Sequence, residues 1–148
     1  MGPTADLTLR IASAQDLAVI HDLLERSGLP TSDLSTARPQ FVVATRGNQI
    51  IGTGALECFG SVALLRSLAV EARSRGLGVG GLIVSELERY ARDTGIGELF
   101  LLTQTAGDFF AHRGYKVIDR SMAPKAVRDT AEFRSLCPAS AFCMAKFA

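Results

Sequence analysis

A mixed sheet with helices packed against it, in the α/β or α+β class, is the fold this sequence predicts. Three observations carry the reading. Apolar runs of strand length recur seven times along the chain. Between several of them the apolar spacing changes from every second residue to every third or fourth, the mark of an amphipathic helix. Two of the runs are separated only by Gly47-Asn48, a hairpin turn. The predicted order is β-α-β-β-β-α-β-α-β-α-β.

The first strand is LTLRIA, Leu7–Ala12. Ser13 is suited to cap the helix that follows, and Asp16 three residues later completes a capping box. Leu17, Ile20 and Leu24 then lie on one helical face, up to the stop signal Ser27-Gly28. PTSDLSTARPQ is a loop with room for one helical turn. FVVATR and QIIGTGALECF form the hairpin, and SVALLRSLAV is a fourth strand. Val79, Leu82, Ile83, Leu87, Tyr90 and Ala91 make the apolar stripe of a central helix that stops at Gly95. ELFLLT is a buried fifth strand. Thr105 and Asp108 resemble a second cap, opening a short helix that ends at Gly114. YKVIDR is a sixth strand. Pro124 suits the first turn of a helix running to about Arg134, and SAFCMAKF alternates as a seventh strand.

A chain of 148 residues is of single-domain size, and residues 1–148 are read as one domain. Hydrophobic residues at 47% and charged residues at 21% match a soluble globular protein. A net charge of +1 argues against a nucleic-acid or membrane surface as partner. No run approaches a membrane span and the N-terminus lacks a long apolar segment, so the expected location is the cytoplasm. Three cysteines, Cys58, Cys137 and Cys143, form no CxxC pair, which argues against a disulfide framework or a common zinc spacing. No metal site is expected.

The segment RSRGLGVGG, Arg73–Gly81, places four glycines between the fourth strand and the central helix. A phosphate loop of the G-x-x-x-x-G-K-[ST] type is excluded, because no lysine follows. Gly76, Gly78 and Gly81 formally match the dinucleotide pattern G-x-G-x-x-G. That pattern belongs at the end of the first strand of a parallel sheet, whereas several strands precede it here. The remaining pattern is [RQ]-x-x-G-x-[GA], beginning at Arg75. Glycines there leave amide groups uncovered at a helix N-terminus, where the helix dipole also favours an anion. Arg75 adds a cation, and the combination suits a pyrophosphate.

With this turn and the later segment LFLLTQTAGDFFAHRGY, the chain resembles the GNAT acetyltransferase superfamily along nearly its whole length. The resemblance implies a seven-stranded, mainly antiparallel mixed sheet and acetyl-CoA as acetyl donor. It implies that the fourth and fifth strands splay, exposing the backbone at Leu68, Ala69 and Val70 to the pantetheine arm. The amides of Arg75, Gly76, Leu77, Gly78, Val79 and Gly80, with Gly81 beside them, would hold the pyrophosphate. Phe109, Phe110 and Arg113 would flank the cofactor on the short helix. Relatives of this family are often dimers, so a homodimer is expected.

In this family an amine attacks the thioester directly, so the amine must lose a proton. A backbone N–H on the splayed fourth strand would stabilise the oxyanion. Many relatives carry a Phe-Tyr pair on the short helix, whose tyrosine reprotonates the thiolate; this chain has Phe109-Phe110. Many also carry an acid at the start of the fourth strand, where this chain has Leu64. Glu57, late in the third strand, is the remaining candidate base. VALLRSLAV, FFAHRGY and TAEFRSLCPASAFCM further resemble the GNAT proteins of bacterial arsenic-resistance operons and, more distantly, the acetyltransferase domain of N-acetylglutamate synthase. Both likenesses imply a small-molecule amine acceptor: a free amino acid, glutamate-like or an arsenic or phosphorus analogue. Arg66 and Arg134 are then candidates to hold its carboxylate, since arginine matches that group bidentately. Polyamines, aminoglycosides and protein N-termini are rival acceptors, and a CoA-binding sensor without catalysis is the rival from another class.

Overall fold

A computed structural model describes residues 6–148. Seven strands form one sheet in the order β1-β2-β3-β4-β5-β7-β6. They are β1 (Leu7–Ile11), β2 (Gln40–Arg46), β3 (Gln49–Phe59), β4 (Val62–Val70), β5 (Glu98–Thr103), β6 (Lys116–Ile118) and β7 (Phe142–Phe147). Only β4 and β5 pair in parallel; every other neighbour is antiparallel. The helices are α1 (Leu17–Arg26), α2 (Leu34–Ala37), α3 (Val79–Asp93), α4 (Gly107–Ala111) and α5 (Lys125–Arg128). Among the described residues no helix is long and apolar enough to cross a membrane.

One face of the sheet is covered by α3, whose Ile83, Val84, Leu87 and Ala91 pack with Val42, Leu56, Leu65, Leu99 and Met144. The helix sits very close to β3. A Cβ on Gly54 would come within 2.8 Å of Ile83 Cγ2, so only glycine permits this approach. The other face has two separate covers. Ile20, Leu23 and Leu24 of α1 pack on Phe41, Val43, Ala55 and Ala69. Further along, Val127 and Phe133 pack on Leu64, Phe100 and Cys143. Between these covers the sheet is crossed by β4, and the functional residues gather there.

Several sequence expectations change at the ends of elements. The Ser13–Asp16 capping box forms, but it opens a 3₁₀ turn that leads into α1. The helix expected from Pro124 to Arg134 is α5 followed by a separate π-helical turn, Glu132–Leu136. The Thr105–Asp108 cap is replaced by Thr103, whose Oγ1 accepts the Ala106 N–H at 3.0 Å. The sixth strand is cut to three residues because Arg120–Met122 turns into a 3₁₀ helix capped by Asp119.

Candidate active site

Beyond Leu64↔Phe100, the last paired position, β4 and β5 part. The opening leads into a cavity of about 730 Å³. Its walls are Leu65–Leu68 and Leu101–Ala106 from the parted strands, the Ser27–Ser32 loop, and Glu132 with Leu136–Pro138. At the parting point β4 carries a bulge. Thr53 pairs with Ala69 and Ala55 with Arg66, leaving one extra residue on β4. Ser67 absorbs it with φ +58°, a left-handed conformation unusual for a residue with a side chain and more frequent at functional sites. The bulge inverts the alternation of the strand. Leu64 and Arg66 face the α1–α5 side, whereas Leu68 and Val70 pack with the α3 cluster. Strict alternation would put Arg66 on one face with Leu68 and Val70, and the bulge at Ser67 breaks it.

The glycine turn follows β4 as expected. Gly76 and Gly78 take φ +79° and +83°. A Cβ at either would meet nothing within 4 Å, so these glycines answer a demand of conformation and leave the amides bare. Gly78 is the N-cap of α3, and no side chain caps that end. Arg75 folds back, its Nε donating to the Val70 carbonyl at 3.0 Å, so its side chain fastens the turn to β4.

Arg113 lies against this helix end. A Cβ on Gly81 would fall 1.9 Å from its Nη2, and its guanidinium stacks over the Phe109 ring at 4.7 Å. Its Nε is buried without a hydrogen-bond partner. A cation placed at the positive end of a helix dipole is unfavourable unless an anion joins it. The uncovered amides and the unpartnered Nε together describe an anion site. Phe109, which lies beside Gly80 of the turn, packs edge-on against Phe110 at 5.0 Å, and Phe110 lines the cavity, so one pair of rings stands between the turn and the cavity.

On the opposite side of the opening stands Arg66, whose side chain is fully buried. Its Nη1 and Nη2 donate to the two oxygens of Asp33 at 2.6 and 2.7 Å. Nη1 also donates to Glu57 at 3.1 Å, Nη2 lies 3.1 Å from Glu132, and Nε donates to Ser67 Oγ at 3.2 Å. Four N–H groups of this arginine thus donate hydrogen bonds, and the Glu132 carboxylate stands against Nη2 as an ion pair. Three carboxylates from the α1–β2 connection, β3 and the π-helical turn meet on one cation. The Arg66 hydrogen bonds hold the Asp33 carboxyl below its usual range despite burial. Burial pushes Glu57 and Glu132 the other way, above theirs, with Arg66 only partly offsetting it.

This placement revises three expectations. Arg66 has no free donor for a substrate carboxylate. Glu57 does not line the main cavity; it faces a shallower one of about 480 Å³ with Asp33, Thr36 and Asp129. Arg134 is exposed and is not among the residues lining either cavity. Tyr115 is buried away from the opening, its hydroxyl donating to Glu88 at 2.9 Å, and burial with the Glu88 charge pushes its ionisation upward. Asp33, Ser67 and Glu132 went unnoticed in the sequence. Glu132 left one signal: an acid set directly between the apolar Ala131 and Phe133. Burial raises the thiols of Cys137 and Cys143 to about 12 and about 11. Among the described residues no three His, Cys, Asp or Glu side chains are set to hold a metal.

Residues 37–117 match the model of the acetyltransferase (GNAT) domain. An uncharacterized N-acetyltransferase of Chlorobaculum tepidum is 31% identical over 135 residues, covering 84% of this chain and 85% of that protein. The amino-acid acetyltransferase of Pasteurella multocida is 25% identical over 82% of this chain, which spans only 30% of that longer protein. N-acetylglutamate synthase from Neisseria gonorrhoeae, solved with coenzyme A and N-acetyl-glutamate, superposes with a TM-score of 0.82 at 22% identity; the match covers 97% of this chain and 35% of that one. Rv2747 from Mycobacterium tuberculosis, solved with CoA, gives 0.81 at 25% identity, over 95% and 99% of the two chains. The fold of this chain is shared with these solved structures. The chain belongs to the GNAT acetyltransferase family.

Proposed function

We propose that this enzyme transfers acetyl from acetyl-CoA to the primary amine of a small, amino-acid-like acceptor. The observation that carries the reading is an uncapped, anion-binding helix end that follows the same strand, β4, whose parting from β5 opens the cavity. Acetyl-CoA brings the activated acetyl group. The chain's residues bind and orient it: amides of Arg75–Gly81 and the Arg113 guanidinium on the pyrophosphate, the free backbone edge of Leu68–Val70 on the pantetheine arm, Phe109 and Phe110 beside it. A backbone N–H at the Ser67 bulge is suited to the oxyanion, because a fixed dipole there needs no reorganisation during reaction. Uncharged donors of the cavity wall, Thr31, Ser32, Thr105 and the second amide N–H of Gln104, are suited to meet the acceptor's carboxylate. Likeness to an amino-acid acetyltransferase supports this acceptor class.

The test is release of free thiol from acetyl-CoA across a panel of amines: glutamate, glutamine, their arsenic- and phosphorus-bearing analogues, a polyamine and an aminoglycoside. Turnover confined to amino-acid-like members is expected. Tight CoA binding without turnover on any amine would replace the enzyme with a sensor. Gly81→Ala tests the Arg113 assignment, because the new methyl group displaces the guanidinium. Affinity for acetyl-CoA, read by calorimetry, should fall about tenfold, the size of one charge-assisted hydrogen bond.

A further inference from the structure

We propose that Glu132 receives the acceptor's ammonium group and takes its proton, while Arg66 serves to position that carboxylate. The inference rests on the acetyl-transfer reading above and names the residue that completes it.

Glu132 is the carboxylate on the wall of the main cavity; Asp33 and Glu57 line the shallower one on the other side of Arg66. The three acids share the arginine unequally. Asp33 holds it through two short, parallel bonds of 2.6 and 2.7 Å. Glu132 is held by one ion-pair contact of 3.1 Å to Nη2, and its other oxygen receives the Cys137 thiol at 3.7 Å. It is thus held more loosely than Asp33, and it lines the cavity. The charged and titratable groups facing it are Arg66, Asp33 and Glu57 from neighbouring elements and Cys137 from its own.

Charge points to the ligand. With every acid ionised, one cation faces three anions, and such an excess is costly in a buried place. An ammonium group entering on the Glu132 side supplies a missing positive charge, whereas a carboxylate entering there would worsen the excess. The other titratable wall residues are no alternative bases. Arg66 cannot give up its proton, and burial holds the Cys137 thiol protonated, pushed up to about 12. Burial also raises Glu132 above the usual carboxylate value, toward the range of a working base.

The step balances as follows. The bound ammonium gives one proton to Glu132, which frees the nitrogen lone pair. Nitrogen attacks the thioester carbonyl, the C–N bond forms and the C–S bond breaks. The second amine proton passes to the departing sulfur, and Glu132 returns the first proton to solvent. A strongly basic amine needs this help, whereas an amine already neutral at the working pH does not.

The experiment compares wild type with Glu132→Gln on two acceptors of similar shape, an α-amino acid and its weakly basic α-aminooxy counterpart. On the amino acid kcat/KM should fall by about 10²–10⁴. The loss on the weakly basic acceptor should be at least tenfold smaller, and calorimetric affinity for acetyl-CoA should not change. The acid limb of the wild-type pH–rate profile should lie above the ordinary glutamate value of 4.5 and vanish in the variant. Glu132→Asp, which keeps the charge but withdraws it by one methylene, should show the same selectivity at smaller amplitude, and it serves if the glutamine variant folds poorly. Equal losses on both acceptors, or an unchanged pH profile, would overturn the assignment while leaving the transferase reading intact. A wild-type enzyme that releases thiol with no amine would overturn both.

Discussion

Arg66→Ala should strongly destabilise the folded protein. The substitution leaves Asp33, Glu57 and Glu132 buried together without their cation. Breaking a buried ion pair by removing one partner costs about 3–5 kcal/mol. For a domain of this size that corresponds to a fall in Tm of about 10 °C. The pH dependence identifies the cause. In wild type the depressed Asp33 contributes stability that is present above its ordinary value of 3.8 and is lost as pH falls through its lower folded value. Without Arg66 all three acids resist ionisation in the folded state, so the variant's deficit grows as pH rises through the ordinary carboxylate range. It should be largest near neutrality and shrink in acid. Thermal denaturation of both proteins between pH 4 and 7 checks this. A Tm within two or three degrees of wild type at neutral pH would mean that the cluster does not hold the two covers of the sheet together.

Gly78→Asp should abolish acetyl-CoA binding in a protein that still folds. Two effects act on the binding site. The carboxylate repels the pyrophosphate, and as an N-cap side chain it accepts from the same α3 amides that the phosphate needs. Together these should remove about 3 kcal/mol or more, at least two decades in Kd. Folding survives because the cap gained offsets part of the strain that a side chain meets at φ +83°. Gly78→Ala carries the strain without the charge and should bind far better than the aspartate variant. Calorimetry on the pair decides the matter, and near-native affinity in Gly78→Asp would move the pyrophosphate away from this turn.

How much could be seen in the sequence follows from how far apart the partners lie. The anion-binding turn is built from neighbours: Arg75, Gly76 and Gly78 impose their conformation locally, and the spacing of Phe110, Gly114 and Tyr115 fixes the short helix that flanks it. Alternation and helical spacing also gave the seven strands and the main helices, because each has one clear buried face. The acceptor side is different. Asp33, Glu57, Arg66 and Glu132 come from four separate elements, and no local pattern links them. Glu132 was further disguised by the break between α5 and the π-helical turn, which a continuous helix from Pro124 would have rotated elsewhere. Ser67 hid the remaining piece. A bulge has no reliable sequence signal when the residue that takes the left-handed conformation is not glycine.

That one extra residue places a constraint on the evolution of this strand that differs from the usual one on residue identity. Upstream of Ser67 the strand presents Arg66 to the carboxylates, and downstream it presents Leu68 and Val70 to the α3 core. A substitution at position 67 loses the hydroxyl that accepts from Arg66 Nε and meets the left-handed φ, but it leaves both halves of the strand facing as they do. Removal of the residue cannot be absorbed in the same way, since restoring strict alternation would drive either the guanidinium into an apolar core or Leu68 among the acids. Natural variants of this segment should therefore differ by substitution and keep a constant number of residues between Leu64 and Val70, even where insertions and deletions accumulate in the loops on either side.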